Sequence, residues 1–327
     1  MKVFVSGGAG FIGSHLVRHL LARADVDAVV VYDNFTSGTA SHLDGVSDAR
    51  LTVVNADIKH LGELTHAMRG SDTIFHLAAN PDIAKAVRFP DVDFWEGTYL
   101  TQNILEAMRL NGATRIFYTS GSGVYGDVPG AQFDEGYGPC FPISTYGASK
   151  LACEALICSY CHMFGMLGRA FRFANVVGPR QTHGVGYDFI RRLRSDPTHL
   201  RILGDGMQRK SYIHVDDVVA AVLMVAQTLD RALAFDVNNV ATDDYITVTE
   251  IAHICCDVAG LDAAAVQFAY TGGDRGWKGD VPRVLFDVEK IKQLGWRAER
   301  SSAQAIRASV ASMHEELELA SGTAGAQ

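Results

Sequence analysis

Tyr146 and Lys150 lie four residues apart in the segment Tyr146–Met163, whose apolar pattern predicts a long helix. Residues at this spacing share one helix face, with Cβ atoms about 5–6 Å apart, so both side chains can face one ligand. A free tyrosine has a pKa of about 10, and its use as a base near neutrality requires lowering that pKa by about 3 units. A neighbouring ammonium group favours the phenolate, so the pair predicts proton transfer. Taken alone, such a pair is more often part of a solvated helix surface.

A glycine-rich loop near the start of the chain, Gly7–Gly13, contains the spacing G-x-G-x-x-G. It follows a predicted strand, Lys2–Ser6, and opens a predicted helix, a context more specific than the spacing alone. Glycines let the backbone approach a pyrophosphate, and the free N–H groups of the helix N-terminus attract the phosphates. Asp33 ends the next predicted strand, where a carboxylate accepts hydrogen bonds from ribose hydroxyls and repels a 2′-phosphate. The loop and its acid therefore predict a dinucleotide site that prefers NAD to NADP.

The first half of the chain alternates apolar runs with helical patterns, which is typical of a parallel sheet covered on both faces. We predict strands at Lys2–Ser6, Asp27–Tyr32, Leu51–Asn55, Thr73–Leu77, Arg115–Thr119, Arg169–Phe173 and Ala234–Val237. We predict helices at Ile12–Arg23, His60–Met68, Tyr99–Leu110, Tyr146–Met163, Val215–Leu229, Val248–Ala259 and Val288–Leu294. The predicted fold class is α/β, a doubly wound parallel-sheet Rossmann domain with a smaller C-terminal substrate lobe.

The composition changes after Asn175, where glycine, proline and basic residues become frequent through Lys210. We assign residues 1–174 to the NAD-binding domain, with 212–240 returning to it. Residues 175–211 and 241–317 are assigned to the lobe that binds the substrate. The small polar residues at 318–327 are expected to form a frayed tail.

The 327-residue chain is 48% hydrophobic and carries a formal net charge of −8. An acidic chain with scattered Lys and Arg is not typical of proteins that bind nucleic acid or membrane surfaces. The N-terminus lacks the apolar stretch of a signal peptide, and no run of about 18 apolar residues occurs, so we expect a cytoplasmic protein. The cysteines, Cys158 and Cys161 included, and the pair His15 and His19 lack further ligands at metal spacing, so no metal site is expected.

Together these motifs resemble the extended short-chain dehydrogenase/reductases, and within them the NAD-dependent sugar epimerases and dehydratases. The resemblance covers nearly the whole chain and is carried by GGAGFIGSHL, HLAA, VYG, YGASK, NVVGPR, GDGMQRKSYIHVDD and LGW. The segments AANP at Ala78–Pro81 and DRGWKGD at Asp274–Asp280 are most similar to proteins like UDP-galactose 4-epimerase.

The resemblance implies the residues that hold the cofactor and the substrate. The expected cofactor contacts are Gly7, Gly10, Phe11, Ile12, Gly13, Asp33, Asn34, Asp57, Ile58, Leu77, Ala78, Ala79, Tyr146 and Lys150. Tyr146 and Lys150 are also the implied catalytic pair. The diphosphate of a nucleotide sugar would be bound by Asn175, Arg209, Lys210 and Arg275.

Three positions depart from the family pattern. The family usually places a catalytic Ser or Thr five residues before the glycine of VYG, where this chain has Gly121. Ser120 or Ser122 must then supply the catalytic hydroxyl, or the tyrosine acts without that partner. Lys210 stands where an arginine is usual, and Gly97 stands where a helix asparagine is often found near the cofactor.

The implied reaction is NAD-dependent epimerisation of a nucleotide-diphosphate sugar, at C4, through a transient keto sugar. The tyrosine would take the proton of a ring hydroxyl, hydride would move to NAD, and hydride would return to the other face of the turned keto sugar. Dehydration is disfavoured because Ser122 and Gly123 occupy the positions of the dehydratase acid pair. A nucleotide-sugar oxidoreductase or decarboxylase, or a non-catalytic NAD-binding sensor, are the alternatives. Similar enzymes dimerise through the helices Tyr99–Leu110 and Tyr146–Met163, so the resemblance also implies a homodimer.

Overall fold

The computed structural model of the protein describes residues 1–277 and 279–324. Strands β1–β15 lie at Lys2–Ser6, Ala28–Asp33, Leu51–Asn55, Thr73–His76, Arg115–Gly121, Gln132–Phe133, Leu167–Phe173, Asn175–Val177, His199–Ile202, Arg209–Lys210, Tyr212–His214, Phe235–Val240, Ile246–Thr247, Gln267–Tyr270 and Leu285–Phe286. Helices α1–α9 lie at Phe11–Leu21, Leu61–Ala67, Tyr99–Asn111, Thr145–Phe164, Val185–Ser195, Val215–Gln227, Val248–Val258, Glu289–Gln293 and Ser302–Ala324. Each predicted strand and helix forms within a few residues of its predicted bounds, whereas α5, α9 and the shorter strands were not predicted.

The main sheet has the strand order β12-β7-β5-β4-β1-β2-β3, and all of its neighbouring strands are parallel. The chain starts at β1, in the middle of the sheet, where Val5 pairs with Val31 of β2 on one side and Phe75 of β4 on the other. The strand order reverses at this point, and such sheets bind ligands outside the carboxyl ends of their strands there. The structure confirms the predicted α/β class and the Rossmann-type sheet.

The sheet strands are apolar because both faces of the sheet are covered. Phe4 of β1 and Ile116 of β5 are fully buried, together with Ile104 of α3 and Ile157 of α4 in one core cluster. Within the described residues, every helix is too short or too polar to span a membrane.

The chain divides into two compact units. Unit 1 comprises residues 1–126, 135–173 and 219–240, and unit 2 comprises residues 127–134, 174–218 and 241–327. This division differs from the predicted boundaries in residues 127–134, 174 and 212–218. The reason is strand pairing, since β6 pairs with β15 and β11 pairs with β8, each in a two-stranded sheet apart from the main one.

Unit 2 has its own core, built where α5, α7 and α9 pack together. Ile190, Ile251 and Ile306 are fully buried in this core. Thr247 and Glu250 form a capping box at the start of α7. Helix α9 continues to Ala324, so residues 318–324 are helical where a frayed tail was expected. One contact that holds the extension is the ion pair between Arg194 and Glu318, at 3.2 Å; residues 325–327 of the expected tail lie outside the described residues.

His76, the last residue of β4, is a fully buried polar side chain in unit 1. Its Nδ1 lies 2.7 Å from Ser6 Oγ of β1, and its Nε2 lies 3.0 Å from Thr101 Oγ1 of α3. Burial, with a smaller contribution from the charge of Lys150, lowers the pKa of His76 to about 3. The imidazole therefore links sheet and helix as a neutral ring.

The depressed pKa of His76 predicts an acid-sensitive fold. Between pH 6.5 and about 3, the unfolded chain binds a proton at this residue that the folded chain does not bind. The free energy of unfolding should therefore fall, through this group, by about 1.4 kcal/mol for each pH unit below 6.5. His76→Asn cannot take up that proton, so urea unfolding from pH 6.5 to 5 should give a flatter pH dependence. Equal slopes for variant and unmodified protein would contradict the prediction.

Candidate active site

The loop between β1 and α1 is a tight backbone cradle. Gly7 has φ +73°, and its N–H donates to the carbonyl of Tyr32 at 3.0 Å. A Cβ at Gly13 would lie 2.1 Å from the carbonyl oxygen of Gly7, and a Cβ at Gly7 would lie 2.7 Å from the backbone nitrogen of Ala78. Gly10 is the N-cap of α1, so no side chain caps the first N–H groups of the helix. The first turn of α1 also contains no acidic residue that would repel a phosphate. The first N–H groups of α1 lack intrahelical partners, which is the feature that the predicted phosphate site requires.

Asp33 is held against this loop at the end of β2. Its Oδ2 accepts a hydrogen bond from the Ala9 N–H, and its Oδ1 accepts one from the Phe35 N–H, both at 2.9 Å. The ring of His42 holds the same loop from outside, with Nδ1 2.9 Å from the Ala9 carbonyl oxygen. The cradle and the fixed carboxylate beside it have the donor and acceptor groups that a dinucleotide requires, so the residues present fit NAD.

The other predicted cofactor residues follow the ends of β2, β3 and β4. The amide of Asn34 donates to Asp57 Oδ2 at 3.0 Å, and the Lys59 N–H donates to Asp57 Oδ1 at 2.9 Å. Burial raises the pKa of Asp57, but these hydrogen bonds, together with the charges of Lys59 and His60, outweigh it and the net pKa is lowered. Ile58 points into the core, and its carbonyl accepts a hydrogen bond from Asn103. The three residues that follow β4 are partly exposed: Leu77, Ala78 and Ala79. Of these, Ala78 lies beside Gly7 of the glycine loop.

Tyr146 and Lys150 lie on the first turns of α4, where Ser144 caps the helix by accepting a hydrogen bond from the Gly147 N–H at 3.1 Å. Lys150 is buried, and its Nζ lies 5.5 Å from the ring centroid of Tyr146 and 4.9 Å from that of Tyr118. The ammonium donates a hydrogen bond to the Thr119 carbonyl at 2.7 Å. The structure thus brings the predicted pair together, with the ammonium fixed and the phenol partly exposed.

The two candidate serines have different environments. Ser120 is buried, and its hydroxyl donates to Glu154 Oε1 at 2.5 Å. Ser122 is partly exposed at the start of a short 3₁₀ turn, Ser122–Tyr125, and its hydroxyl has no hydrogen-bond partner among the described residues. Gly121 has extended backbone, and a Cβ added there would meet only the Phe173 carbonyl oxygen, at 4.0 Å. The position of the missing family hydroxyl is therefore open, and Ser120 is engaged elsewhere.

Gly97 departs from the family pattern for a steric reason. It lies in a π-helical turn, Phe94–Thr98, and a Cβ at this position would lie 2.4 Å from Ser149 Oγ of α4. The Ser149 hydroxyl donates to the carbonyl of Asp93 at 2.6 Å, so it is fixed in that space. The side chain of Ser149 thus occupies the room that a larger residue would need.

Sequence reasoning missed the polar groups behind the serines. The carboxylate of Glu154 receives two hydrogen bonds from Arg172, at 3.1 and 2.7 Å, and both side chains are buried. One signal was available, since Glu154 follows Lys150 by four residues on an apolar helix, where a buried acid requires a partner. The identity of that partner on β7 could not be read from local spacing.

The predicted substrate-binding cations lie in unit 2. Lys210 Nζ is 2.5 Å from Asp280 Oδ1, and Arg275 donates to the Asp280 carbonyl at 2.8 Å. Arg275 also pairs with Asp127 at 2.5 Å, and this hydrogen bond raises the pKa of the guanidinium although burial opposes it. Lys210 and Arg275 are therefore joined through Asp280. Arg209 is exposed one residue from Lys210 on β10, outside this group.

Asn175, the fourth predicted substrate residue, lies at the start of β8 in unit 2. Its side-chain amide donates to the Ser211 carbonyl at 3.1 Å, and its backbone N–H donates to the same oxygen at 3.2 Å. The side chain is exposed, and its Oδ1 is not used in the bonds to Ser211.

A comparison with protein families agrees with this geometry. Residues 3–241 match the model of the NAD dependent epimerase/dehydratase family. This chain belongs to that family. The match covers the glycine loop, Asp33 and the pair Tyr146 and Lys150, and it confirms the family that the sequence motifs indicated.

Two curated relatives match the chain over almost all of its length. A UDP-glucose 4-epimerase from Mycolicibacterium smegmatis is 32% identical over 319 residues, which is 95% of this chain and 97% of the relative. A putative UDP-glucose 4-epimerase from Methanocaldococcus jannaschii is 31% identical over 312 residues, which is 93% of this chain and 96% of the relative.

Solved structures of family members share the fold. A UDP-galactose 4-epimerase is 36% identical and superposes with a TM-score of 0.84, covering 97% of this chain and 100% of the other. A dTDP-glucose 4,6-dehydratase from Streptomyces venezuelae, solved with NAD bound, is 29% identical with a TM-score of 0.88, covering 98% of both chains. The same fold thus serves epimerases and dehydratases, so the residues of the site must decide between them.

The cradle predicts that Gly13→Ala weakens cofactor binding. Its added Cβ would collide with the Gly7 carbonyl at 2.1 Å, so the loop must move, and we expect at least a tenfold loss of NAD affinity and about 1–3 kcal/mol of destabilisation. Calorimetric titration and thermal unfolding measure both effects. The matched control is Gly62→Ala, on an exposed helix position with no atom within 4 Å, which should bind NAD normally and gain about 0.5–1 kcal/mol. Unchanged NAD affinity of Gly13→Ala would contradict the cradle.

Proposed function

We propose that this chain catalyses the NAD-dependent epimerisation of a nucleotide-diphosphate sugar, at C4, through a transient keto sugar. The observation that carries the proposal is the pairing of Tyr146 with a buried, fixed Lys150 in the same unit as the glycine cradle and Asp33. The names of the relatives, several of them UDP-glucose 4-epimerases, support the same reaction class. When bound, NAD supplies the hydride acceptor for the first half of the reaction and the hydride donor for the second.

Tyr146 is the proposed general base and acid at the reacting hydroxyl. Its phenol takes the hydroxyl proton when the sugar is oxidised and returns a proton when the keto group is reduced. Lys150 stabilises the phenolate by its positive charge. The bond from Lys150 to the Thr119 carbonyl and its position over the Tyr118 ring hold that charge in place, so little reorganisation is needed during proton transfer.

Ser122 is the proposed source of the hydroxyl that Gly121 lacks. Its hydroxyl is free of protein partners among the described residues, whereas the Ser120 hydroxyl is engaged by Glu154. An available O–H can donate to the sugar oxygen as the proton moves, which contributes to general acid–base catalysis. The absence of acids at Ser122 and Gly123 favours epimerisation over the dehydration that other family members perform.

The diphosphate of the substrate is assigned to Lys210, Arg275, Arg209 and Asn175 of unit 2. The ammonium of Lys210 and the guanidinium of Arg275 are each paired with an acid, which orients them before a ligand arrives. Arg209 adds guanidinium donors, and Asn175 adds the second N–H of its amide, since the first is bonded to the Ser211 carbonyl.

A homodimer formed through α3 and α4 is the proposed assembly. Helix α4 lacks a charged face, because its exposed positions before His162 are Thr145, Ala148, Ala155 and Ser159, and Ala152 is partly exposed between them. A helix without a charged side is expected to be covered, and small residues allow a second helix to approach closely. We also infer a cytoplasmic location, which the six free cysteines support because disulfides are rare there.

One turnover assay separates the possible functions. The purified protein is incubated with NAD and a panel of UDP-, dTDP- and ADP-sugars, while products are resolved by chromatography and NADH is followed by absorbance. Epimerase activity gives isomeric sugars without net NADH. A nucleotide-sugar oxidoreductase gives NADH in equal amount to product, and a dinucleotide sensor gives binding without product. Either of these last two results would refute the proposed epimerase.

The proposed base predicts that Tyr146→Phe loses conversion and keeps the cofactor. Removal of the phenolic oxygen should lower kcat by at least about 10²–10⁴-fold, which is the usual contribution of a general acid–base group. NAD affinity should stay within about twofold, because the rest of the cradle is unchanged. The matched control is Tyr160→Phe on the same helix, whose hydroxyl accepts a hydrogen bond from Gln102 of α3 and should leave turnover unaffected. Full activity of Tyr146→Phe would remove the proposed base.

The apolar face of α4 predicts that Ala155→Glu separates the dimer. Its carboxylate would enter the helix–helix interface without a partner, which is strongly unfavourable. Sedimentation velocity should show the unmodified protein as a dimer and the variant as a monomer of unchanged secondary structure. Ala303→Glu, at an exposed position in the first turn of α9, is the control and should leave the mass unchanged. A monomeric unmodified protein would refute the assembly.

A further inference from the structure

A continuous set of buried polar side chains lies behind the turn Ser122–Tyr125, and all of it belongs to unit 1. We name this set the turn network; its members are Ser120, Glu154, Arg172, Tyr125 and Asn239, and each is at most 5% exposed. The bonds run in series. Ser120 donates to Glu154, Arg172 donates twice to Glu154, and Tyr125 donates to Asn239 Oδ1 at 2.6 Å.

Arg172 joins the two halves of the turn network. Its guanidinium carbon lies 4.7 Å from the ring centroid of Tyr125, in the geometry of a cation–π contact. Burial alone lowers the pKa of Arg172, but the hydrogen bonds and charge of Glu154 raise it above its ordinary value, so the guanidinium stays charged. The series therefore continues without a gap from Ser120 before the turn to Asn239 beyond it.

Stability alone does not account for the turn network. A buried ion pair must be desolvated, and well-packed apolar residues in its place are often as stable or more stable. Here the carboxylate of Glu154 and the guanidinium of Arg172 are both nearly inaccessible, and one nitrogen of Arg172, Nη1, has no partner among the described residues. What such a pair can supply is a single fixed geometry for the groups bonded to it.

The fixed groups lie at both ends of the turn. Ser120 is bonded two residues before Ser122, and Tyr125 is the last residue of the turn. The middle of the turn packs against the start of α4, because a Cβ at Gly147 would lie 2.3 Å from the Gly123 carbonyl oxygen. A Cβ at Gly123 would lie 4.0 Å from Cδ1 of Tyr146. The turn is thus held at its ends by the network and in its middle by the helix that carries the phenol.

We propose that the turn network is a positioning device that holds the Ser122 hydroxyl at a fixed distance from the Tyr146 phenol. This inference rests on the proposed epimerase function. It explains why Ser120 is unavailable as the catalytic hydroxyl, since its O–H anchors the turn that carries Ser122. It assigns Tyr125, Glu154 and Arg172 to catalysis as positioning residues, which act through Ser122.

A double-mutant cycle tests whether the turn network acts through Ser122. The variants are Tyr125→Phe, which removes the hydroxyl that bonds to Asn239 and keeps the ring beside Arg172, Ser122→Ala, and the two combined. Misplacement of a reacting group by about 1 Å costs about 10²-fold, so Tyr125→Phe should lower kcat by about 10–100-fold with KM within about twofold. The combined variant should be no slower than Ser122→Ala, because a network without its hydroxyl has nothing to position.

A purely structural role of Tyr125 gives a different pattern. Its effect would then multiply that of Ser122→Ala, or it would appear in KM and NAD affinity as well as in kcat, and either result would overturn the proposal. So would kcat of Tyr125→Phe equal to that of the unmodified protein. The matched control is Tyr245→Phe in unit 2, which likewise removes a hydrogen-bonded tyrosine hydroxyl, here one that accepts from the Phe286 N–H. It should leave kcat within about twofold, the variation that the test takes as no effect.

Ser120→Ala provides a second test if Tyr125→Phe does not fold. It deletes the other anchor of the turn and should show the same loss in kcat and the same absence of additivity with Ser122→Ala. Thermal unfolding and NAD titration of each variant verify that the fold and the cradle are intact. An unmodified protein without turnover on any nucleotide sugar would refute the proposed function and this proposal with it, whereas turnover with multiplicative variants refutes the positioning role alone.

Discussion

The contact on which the nucleotide-binding half depends is the approach of the α1 backbone to the Gly7 carbonyl. No side chain fits at Gly13, because a Cβ there would overlap that oxygen at 2.1 Å. One hydrogen bond to each side of Ala9 then fixes the residues around the closed loop. The Asp33 carboxylate accepts from the Ala9 N–H, and the His42 ring lies within hydrogen-bond distance of the Ala9 carbonyl. The carboxyl ends of β1 and β2 thus meet at one backbone turn, and sheets of this type bind dinucleotides at such a turn.

The sequence allowed the main sheet and the glycine cradle to be predicted because both are local consequences of residue type. Buried parallel strands require continuous apolar runs, and a phosphate turn requires glycine. Helix α9 also has a helical apolar pattern, at Ala305, Ile306, Val310 and Met313, but serines and charges between these residues obscured it. The pairing of β11 with β8 was beyond prediction, because three-residue strands carry too little pattern to reveal their partners.

The choice between Ser120 and Ser122 shows the same limit in the site. Both serines have the same chemistry and flank the same glycine, so only tertiary contacts distinguish them. The distinction comes from Glu154 and its bond to Arg172, which lies on a different strand far along the chain. The two glycines that depart from the family pattern, Gly97 and Gly121, also differ in the space around them. Gly97 is required because Ser149 fills the adjacent space, whereas the space at Gly121 is open, so the hydroxyl lost there was not excluded by packing.

The acids beside the proposed substrate-binding cations follow from the same need for fixed geometry. Lys210 has a flexible four-carbon stem, and without Asp280 its ammonium would sample many positions before a phosphate arrived. Asp280 also accepts from the Gly276 N–H and from Arg275 through its carbonyl, so one residue orders the segment and both cations. In the proposed site, the acid would reduce the net positive charge that a diphosphate meets, which weakens binding. It would also spare the entropic cost of ordering two long side chains when the ligand binds. Moderate attraction with early ordering suits a ligand that must be bound firmly while it reacts and then be released.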